Sequence, residues 1–208
     1  MFLIYNYLTY KFTEYSIWLI RIIHSCITMN INCKVFGGVG MEIDEKIHIE
    51  EHNPEWIMEY EYEKRQLCET LGDAVLGIEH IGSTSIPGIW AKPIVDILIG
   101  VKSLPIDRYL INKVIELGYE YFGESGVSGR FYFRKRFPKG FNVHITQIGN
   151  EIWNNNILLR NFLRRNENEA KKYSELKQNI ISQGVNTLLE YSDRKATFII
   201  ELLKMAND

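Results

Sequence analysis

The sequence predicts an α+β fold, close to an α/β arrangement, with a mixed β-sheet flanked by helices and a helical C-terminal segment. Three observations support this fold class. An amphipathic helix comes first, two strand-length apolar runs follow it, and the C-terminal part of the chain has helical periodicity. The order helix, strand, strand, helix, hairpin and helical tail is typical of a domain with a mixed sheet.

The first helix is expected between Asn53 and Gly72. Asn53 is a suitable N-cap, Pro54 suits the first helical position, and Gly72 suits the residue that follows the helix. Apolar side chains recur at helical spacing between them, which predicts one buried stripe. This stripe consists of Trp56, Tyr60, Leu67 and Leu71.

Two strands and a second helix are expected next. The run "AVLGIEHIG" looks like a strand, and "KPIVDILIGV" is β-branched and almost continuously apolar, as in a central strand covered on both faces. The run "IDRYLINKVIELG" predicts a helix that ends at Gly118. From about residue 152 to residue 205 the chain is predicted to be helical.

A β-hairpin is expected in "RFYFRKRFPKGFNVHITQI". Pro138-Lys139-Gly140 suits its turn, with the glycine in the left-handed conformation. If Phe137 pairs with Phe141 across this turn, Arg134 falls opposite His144. The hairpin would then bring a cation beside an imidazole.

The composition is that of a globular protein, with 46% hydrophobic and 24% charged residues. A chain of 208 residues suits one domain, with or without an appendage. The net charge of −2 gives no indication of nucleic-acid binding. Cys26, Cys33 and Cys68 form neither a CxxC pair nor a zinc-ligand cluster, so the reducing cytoplasm is the expected location.

Residues 1–40 differ in composition from the rest and are expected to form an apolar extension to a domain at residues 41–208. The run "YSIWLIRIIHSCITM" is interrupted by Arg21 and His24 and falls short of a membrane span, which needs about 20 apolar residues. Three explanations stay open. The segment is a non-native or disordered extension before a start at Met41, a membrane-associating leader, or an extra structural element.

Residues with chemical potential are concentrated in "IEHIGSTSIPGIWAKPIVDILIGV", residues 78–101. Gly82 permits a sharp turn and the close approach of a ligand. Ser83, Thr84 and Ser85 add hydroxyls beside exposed backbone N–H groups, and such a loop can hold phosphate oxygens where it leads into a helix N-terminus. An ordinary strand-to-helix turn with a capping serine explains the same four residues.

Asp96 is a carboxylate inside an apolar strand, and its burial without a partner would cost several kcal/mol. We therefore expect Asp96 to lie at an exposed end of the strand, to pair with Lys92 or another cation, or to bind a metal. Lys92 lies four residues earlier, on the same strand face. A structural Lys92–Asp96 pair is the alternative to a ligand or metal site.

Several motifs of the chain carry a family resemblance. They are "HNPEWIMEYEYEK", the stretch at residues 78–101, "VHI", "LRNFLRR", "KYSELK" and "YSDRKATFI", in this order, over about Ile47 to Ala206. Together they resemble the GrpB family (UPF0157), which is similar in fold to the nucleotidyltransferase superfamily. The sequence contains no G-x-x-x-x-G-K-[ST] loop, so the resemblance does not imply kinase activity.

The resemblance implies roles for individual residues. Nucleotidyltransferases contact nucleotide phosphates with a Gly-Ser pair, which Gly82-Ser83 matches. They bind Mg²⁺ through two carboxylates at i and i+2 on the next strand; Asp96 matches the first, but Leu98 replaces the second. His144 is the nearest candidate for their third ligand. The implied cofactors are a nucleoside triphosphate substrate and a divalent metal at Asp96 and His144, Mg²⁺ or Mn²⁺ before Zn²⁺, although one imidazole makes a poor Mg²⁺ site.

The hairpin and the loop contain further polar candidates. Strand alternation places Arg130 and Arg134 on one face, where guanidinium groups can bind phosphate; a solvated outer face is the alternative. His144 is either a ligand or acid–base group, or a structural histidine. His80 either orients the loop through a hydrogen bond or takes part in catalysis.

The helical tail has its own polar residues. Arg160 and Arg164 lie one helical turn apart and can close over a bound phosphate, whereas ordinary surface charge is the alternative for each. Asn161 stands where the family usually has an aspartate. The other tail positions that match the family are Tyr173, Lys177, Tyr191 and Lys195.

These observations predict a protein that binds a nucleotide or another phosphorylated small molecule. If it is an enzyme, it transfers a nucleotidyl group to an acceptor, with Asp96, His144 and Lys92 as catalytic residues. A non-catalytic nucleotide-binding module and a metal-assisted phosphoester hydrolase that uses Asp96 and His144 are the alternatives. The expected partner is a small molecule rather than nucleic acid or a membrane, and no oligomeric state is predicted.

Overall fold

The computed structural model describes residues 44–208. The expectations for the extension at residues 1–40, for a start at Met41 and for Cys26 and Cys33 lie outside the described residues. Among the helices of residues 44–208, none is both long enough and apolar enough to cross a bilayer.

The described residues form five α-helices and a five-stranded sheet. The helices are α1 Glu55–Leu71, α2 Arg108–Glu116, α3 Glu151–Arg165, α4 Glu167–Ser182 and α5 Leu188–Asn207. The strands are β1 Gly77–Ile81, β2 Ile94–Val101, β3 Glu120–Tyr121, β4 Arg130–Lys135 and β5 Gly140–Gln147. Single 3₁₀ turns lie at Gly72–Ala74 and Ser83–Ser85.

The sheet is mixed, which confirms the predicted fold class. Its strand order is β1-β2-β5-β4-β3. Strand β2 runs antiparallel to β1 and parallel to β5, and the remaining neighbours are antiparallel. The parallel register sets Asp96 beside Asn142 and Leu98 beside His144. The polar residues of β2 and β5 therefore lie on adjacent strands.

The predicted hairpin forms, but its register differs from the expected one. Lys135 pairs with Phe141, so that Arg134 lies opposite Asn142, and His144 faces Tyr132 instead of Arg134. The register shifts by two residues because five residues, 136–140, lie between the paired Lys135 and Phe141, whereas a Phe137–Phe141 pairing would leave only residues 138–140.

The backbone of Gly140 also differs from the prediction. Gly140 begins β5 and does not adopt the left-handed conformation expected of a turn glycine. Its lack of a side chain has another use here. A Cβ at this position would lie 3.0 Å from the carbonyl oxygen of Pro93 and 3.0 Å from Cγ1 of Ile94, so glycine permits close packing of β5 against the start of β2.

Helix α1 confirms the predicted caps and the predicted buried stripe. The side-chain oxygen of Asn53 accepts a hydrogen bond from the backbone N–H of Glu55 at 2.9 Å. Gly72 follows the helix with φ +55° and donates its N–H to the carbonyl of Cys68. The four stripe residues are buried, and they join the main core between α1, α2 and the sheet. Burying the stripe is the main contribution of this helix to stability.

Helix α3 reaches the sheet through Trp153. The register places Gly77 directly beside Gly100 on β1 and β2. A Cβ on either glycine would lie 2.8 Å from a ring carbon of Trp153. The indole therefore packs closely against a patch of bare backbone, and this contact sets the distance between α3 and the sheet.

The three C-terminal helices cover the loop that follows β1. Ile86 and Ile89 of this loop share a second apolar cluster with Leu163, Tyr173 and Leu202, one each from α3, α4 and α5. At the other end of the tail, the segment before α1 pairs with the residues before α5, where Lys46 forms a β-bridge with Thr187. Distant parts of the chain thus surround the β1–β2 connection.

Candidate functional site

Asp96 is the carboxylate around which the candidate site is built. Its Oδ1 accepts a hydrogen bond of 2.6 Å from Nδ2 of Asn142 and lies 3.6 Å from Nε2 of His144. The side chain of Asp96 is 24% exposed and that of His144 16% exposed. The parallel β2–β5 pairing and the alternation of side chains along β5 bring these three polar groups to one face.

Gly82 packs directly against this carboxylate. Its backbone has φ +68°, and a Cβ would overlap Oδ2 of Asp96 and lie 3.0 Å from the Cβ and Cγ atoms of Asp96. Glycine is required both for the backbone conformation and for the space. The Gly-Ser step and the strand carboxylate are therefore adjacent, as the sequence comparison of motifs led us to expect.

Asp96 is ionised over the physiological range. Burial by itself raises the pKa of Asp96, but the hydrogen bonds and charges contributed by His144, Lys92 and Asn142 outweigh burial and hold the pKa at about 2. Burial lowers the pKa of His144. The interaction with Asp96 opposes this lowering.

Two lysines lie within electrostatic reach of Asp96 from different elements. Lys92 precedes β2, and Lys195 comes from α5, where its Nζ lies 4.3 Å above the ring of Tyr191. Burial lowers the pKa of each lysine to about 8, and in both cases the charge of Asp96 opposes this shift. The charge of Lys195 also lowers the pKa of Lys92.

A third lysine, Lys177 of α4, is fully buried behind Lys195. Its Nζ donates to the carbonyl oxygen of Trp90 and lies 4.6 Å from the ring centroid of Tyr173. Burial, reinforced by the charge of Lys195, lowers the pKa of Lys177 to about 6. Lys177 is therefore uncharged at neutral pH and supports the wall of the site.

The hydroxyls of Ser83, from the loop after β1, and Tyr173, from α4, lie on one side of the site. Burial raises the pKa of Tyr173 to about 12, while a hydrogen bond with Ser83 acts in the opposite direction and the charge of Asp96 reinforces burial. Both hydroxyls carry their protons at neutral pH. Because the two hydroxyls are hydrogen-bonded to each other, the pair has one O–H left to donate to an anion.

Glu45 and two arginines complete the site from the hairpin side. Arg136 donates to both oxygens of Glu45, at 2.9 and 2.8 Å, and to Oδ1 of Asn142 at 3.0 Å. Arg134 Nη1 lies 3.9 Å from Glu45. We call the following set the Asp96 cluster: Glu45, Gly82, Ser83, Lys92, Asp96, Arg134, Arg136, Asn142, His144, Tyr173 and Lys195.

The other two hydroxyls of the loop bond within the protein. Thr84 and Ser85 are buried in a 3₁₀ turn of three residues, which does not continue into a helix. The Oγ1 of Thr84 lies 3.0 Å from Nε2 of His80, and the hydroxyl of Ser85 donates to the carbonyl of Gly82 at 2.6 Å. Because the turn is short, no helix N-terminus faces the site here.

His80 holds this loop in position. Its ring stacks on Tyr60 at a centroid distance of 4.7 Å, and its Nε2 meets Thr84. Burial is the main cause that lowers the pKa of His80, to about 4, so the ring is neutral at pH 7. This geometry corresponds to the helper alternative for His80.

The predicted phosphate-binding arginines fall in two further places. Arg160 donates to Glu79 at 2.5 Å and to the carbonyl of His80 at 3.1 Å, and Arg164 donates to the carbonyl of Ser85 at 2.8 Å. These two residues tie α3 to β1 and the loop. Arg130 donates to the carbonyls of residues 124 and 125 and packs 4.9 Å from the ring of Tyr132.

The structure thus brings together part of the predicted site. Gly82, Ser83, Lys92, Asp96 and His144 converge, together with Arg134. Thr84, Ser85, His80, Arg160 and Arg164 support the loop from behind, and Arg130 lies farther along β4.

Sequence reasoning missed Asn142 and Glu45. Asn142 had a usable signal, since residues two apart in a strand share a face and Asn142 is two residues before His144. Glu45 had none, because its ion pair with Arg136 joins residues 91 positions apart. Lys195 and Tyr173 were recognised only as family positions.

The donor set does not fit the divalent metal that the resemblance implies. Within residues 44–208 no group of three or more His, Cys, Asp or Glu side chains is arranged to hold a metal ion. Asp96 and His144 are two donors only, and the ammonium groups of Lys92 and Lys195 oppose the approach of another cation. No chemical step is therefore derived through a metal.

Taken together, the fold and the site define an α+β protein with a mixed five-stranded sheet and a charged cluster where sheet, loop and C-terminal helices meet. The chain matches the family described as GrpB protein over residues 46–205. The chain belongs to the GrpB family.

Individual relatives agree with this assignment. The chain is 36% identical over 155 residues to UPF0157 protein YqkA of Bacillus subtilis. This match covers 74% of this chain but only 45% of the length of that relative. It is 32% identical over 158 residues to the glutamate-rich protein GrpB of Alkalihalophilus pseudofirmus, covering 73% of this chain and 91% of the relative.

A solved structure confirms the fold. The crystal structure of conserved protein GrpB from Enterococcus faecalis superposes with a TM-score of 0.71 at 36% sequence identity. The match covers 76% of this chain and 96% of that one. The mixed sheet with flanking helices is therefore the architecture of both proteins.

Proposed function

We propose that this protein binds a phosphorylated small molecule, with a nucleotide as the leading candidate, at the Asp96 cluster. The observation that carries the proposal is the charge of the cluster, in which four cations, Lys92, Lys195, Arg134 and Arg136, surround two carboxylates, Asp96 and Glu45. Cations held together in a partly buried place repel one another, and an anionic ligand relieves that repulsion.

The hydrogen-bonding groups of the cluster also suit phosphate. Ser83 and Tyr173 together supply one hydroxyl donor, and lysine and arginine supply charged donors. Asp96 has the opposite preference, because an ionised carboxylate accepts hydrogen bonds. A ligand with a hydroxyl or amino group near its phosphate satisfies both halves, and the ribose of a nucleotide has such hydroxyls.

Nucleotidyl transfer is the second candidate function, and the contact between Gly82 and Asp96 favours it. That contact sets a Gly-Ser step against a strand carboxylate, as in the superfamily that the motifs resemble. The catalytic roles of Asp96, His144 and Lys92 remain predictions, as does hydrolysis of a phosphoester. Incorporation of labelled nucleotide into acceptors in a cell extract, lost in Asp96→Ala, would support transfer over binding alone.

Calorimetric titration of the whole chain with ADP, AMP, pyrophosphate and adenosine tests the binding proposal. We expect the three phosphorylated probes to bind and adenosine to bind at least tenfold more weakly, because it lacks the anion. Lys195→Gln should weaken ADP binding by about tenfold, since one charged contact to phosphate is lost.

Lys171→Gln is the matched control, because it removes the same charge from an exposed position on α4. It should bind ADP as the wild type does. Equal losses in the two variants would mean that only net charge matters, and they would contradict a site at the Asp96 cluster. Absence of binding by all three phosphorylated probes would reject the proposal itself.

A further inference from the structure

We propose that the ligand is bound free of divalent metal, with Lys92 and Lys195 in the place where a metal ion would neutralise its phosphate. This inference rests on the proposed function and specifies the ligand class as a metal-free phosphate monoester or diphosphate that carries a hydroxyl group.

The side-chain amide of Asn142 is held in one orientation. Its Oδ1 accepts hydrogen bonds from the hydroxyl of Tyr132 and from Nη2 of Arg136, both at 3.0 Å. Flipping the amide would break both bonds, so its Nδ2 must point to Asp96, where it donates at 2.6 Å. Oδ1 of Asp96 therefore faces an N–H donor. A cation cannot bind this oxygen from the side that the N–H group occupies.

The position two residues after Asp96, on the same strand face, is occupied by an apolar side chain. Leu98 is fully buried, and its strand neighbour is His144. Two carboxylates on one strand face would bracket a cation, but here the second position is apolar and cannot supply an oxygen. Asp96 is one carboxylate beside two ammonium groups, those of Lys92 and Lys195. The net charge of these three groups is therefore positive.

Lys92 and Lys195 come from different elements of the fold. Lys92 is held by the β1–β2 connection and Lys195 by α5, and both feel the charge of Asp96. Arg136 adds its charge to Lys92 from the hairpin. Two cations from separate elements thus lie within electrostatic reach of one carboxylate, and a third cation, Arg136, lies close to Lys92. An anion can enter such a cluster without a counterion of its own, whereas a Mg²⁺ complex brings a charge that the lysines repel.

The charge also indicates the size of the anion. The cluster has two more cations than carboxylates, so a ligand phosphate with about two negative charges brings it to neutrality. A free phosphate monoester carries that charge near neutral pH. Nucleoside monophosphates match this charge, nucleoside diphosphates carry about one negative charge more, and the ribose of either supplies a hydroxyl group that can donate to Asp96.

Calorimetric titration with ADP, once in EDTA and once in excess MgCl₂, tests the inference. We expect ADP to bind in EDTA and to bind severalfold more weakly with Mg²⁺, because the metal neutralises the diphosphate that the lysines recognise. AMP, which holds Mg²⁺ less tightly, should change less. A manganese titration followed by electron paramagnetic resonance should detect no Mn²⁺ bound by the protein beyond the amount that ADP binds on its own.

The outcomes separate this inference from the proposed function. ADP binding that requires Mg²⁺ or Mn²⁺ would overturn the metal-free mode but keep the phosphate site. A protein-bound Mn²⁺ signal that depends on Asp96 would do the same. Failure of ADP, AMP and pyrophosphate to bind with and without metal would overturn both.

Discussion

Gly82 lies against the carboxylate of Asp96 with φ +68°, and this contact depends on the absence of a side chain. Most of the cluster's other residues could be exchanged for similar ones at some cost. Gly82 could not, because any Cβ would occupy the space of the carboxylate oxygen. The orientation of Asp96, and hence its distance to Asn142 and His144, depends on this one backbone position.

We expect Gly82→Ala to lower the free energy of unfolding by about 2–4 kcal/mol, from backbone strain plus the clash with Asp96. Gly88→Ala is the matched control. Gly88 also has a positive φ, +77°, but a Cβ there meets nothing within 4 Å. Urea denaturation of both variants isolates the clash, since strain is common to them. Equal losses would show that Asp96 does not press on Gly82.

At the scale of elements, α3 is joined to the sheet by an aromatic ring on two glycines. Gly77 and Gly100 are neighbours on β1 and β2, and Trp153 covers both. Glycine is unfavourable in strands by roughly 0.5–1 kcal/mol relative to alanine. Its presence at two paired positions is explained by the indole of Trp153 and the side chain of Ile148, which occupy the space that two methyl groups would need.

Gly77→Ala should therefore destabilise the protein by about 1–3 kcal/mol, because the new methyl group would lie 2.8 Å from the indole. In a Trp153→Leu background the same change should cost clearly less, because the 2.8 Å contact is gone and only the end of the Ile148 side chain, 3.2 Å away, stays close to the new methyl group. Chemical denaturation of the four proteins forms a double-mutant cycle. An unchanged penalty in the leucine background would contradict the packing argument.

Helix α1 shows how well a single element can be anticipated. Its caps and all four stripe residues follow from the sequence, because they depend on contacts within a few residues and on a fixed period. The β4–β5 register was wrong by comparison. It depends on the number of residues in the turn, and a shift of two residues moved the partner of His144 from Arg134 to Tyr132.

At the scale of the whole molecule, the Asp96 cluster joins parts of the chain that are distant in sequence. Glu45 comes from the segment before α1, Asp96 from β2, Arg136 from the hairpin and Lys195 from α5. Ligand binding at such a place should stabilise the entire domain, because every contributing element must be in position. The buried titratable groups also make stability depend on pH.

We expect stability to fall as the pH drops from 6.5 to 4, with His80 as a main cause. Its pKa is lowered from 6.5 to about 4 in the folded state, mainly by burial and further by Arg164, Arg160 and His52, while Asp96 acts in the opposite direction. The unfolded chain therefore binds more protons in this window, and unfolding becomes easier as protons are added. The loss approaches about 3 kcal/mol at pH 4.

Urea denaturation between pH 4 and 7 measures this dependence in the wild type and in His80→Gln. The variant should show a slope smaller by the contribution of one proton, whatever its absolute stability. His48→Gln, at a side chain that is 73% exposed, should keep the wild-type slope. A wild-type slope in His80→Gln would contradict the assignment of the proton to His80.

The candidate site was predictable only in part. Gly82, Ser83, Lys92 and Asp96 lie within fifteen residues of one another, and their motif marks them. Asn142 shares a strand face with His144, so alternation could have found it. Glu45 and the position of Lys195 beside Asp96 carry no local signal, because they depend on how α5 and the N-terminal segment pack.

The sequence alone determined the fold class, the family and the carboxylate on which the site is built, because local periodicity and short motifs depend on neighbouring residues. Tertiary structure alone decided which side chains meet that carboxylate. It bound Arg160 to β1 and Arg164 to the loop after it, brought Lys195 beside Asp96 and set the amide of Asn142 against the carboxylate of Asp96. The packing of distant segments determines which charged side chains lie beside Asp96. No local sequence pattern encodes that packing.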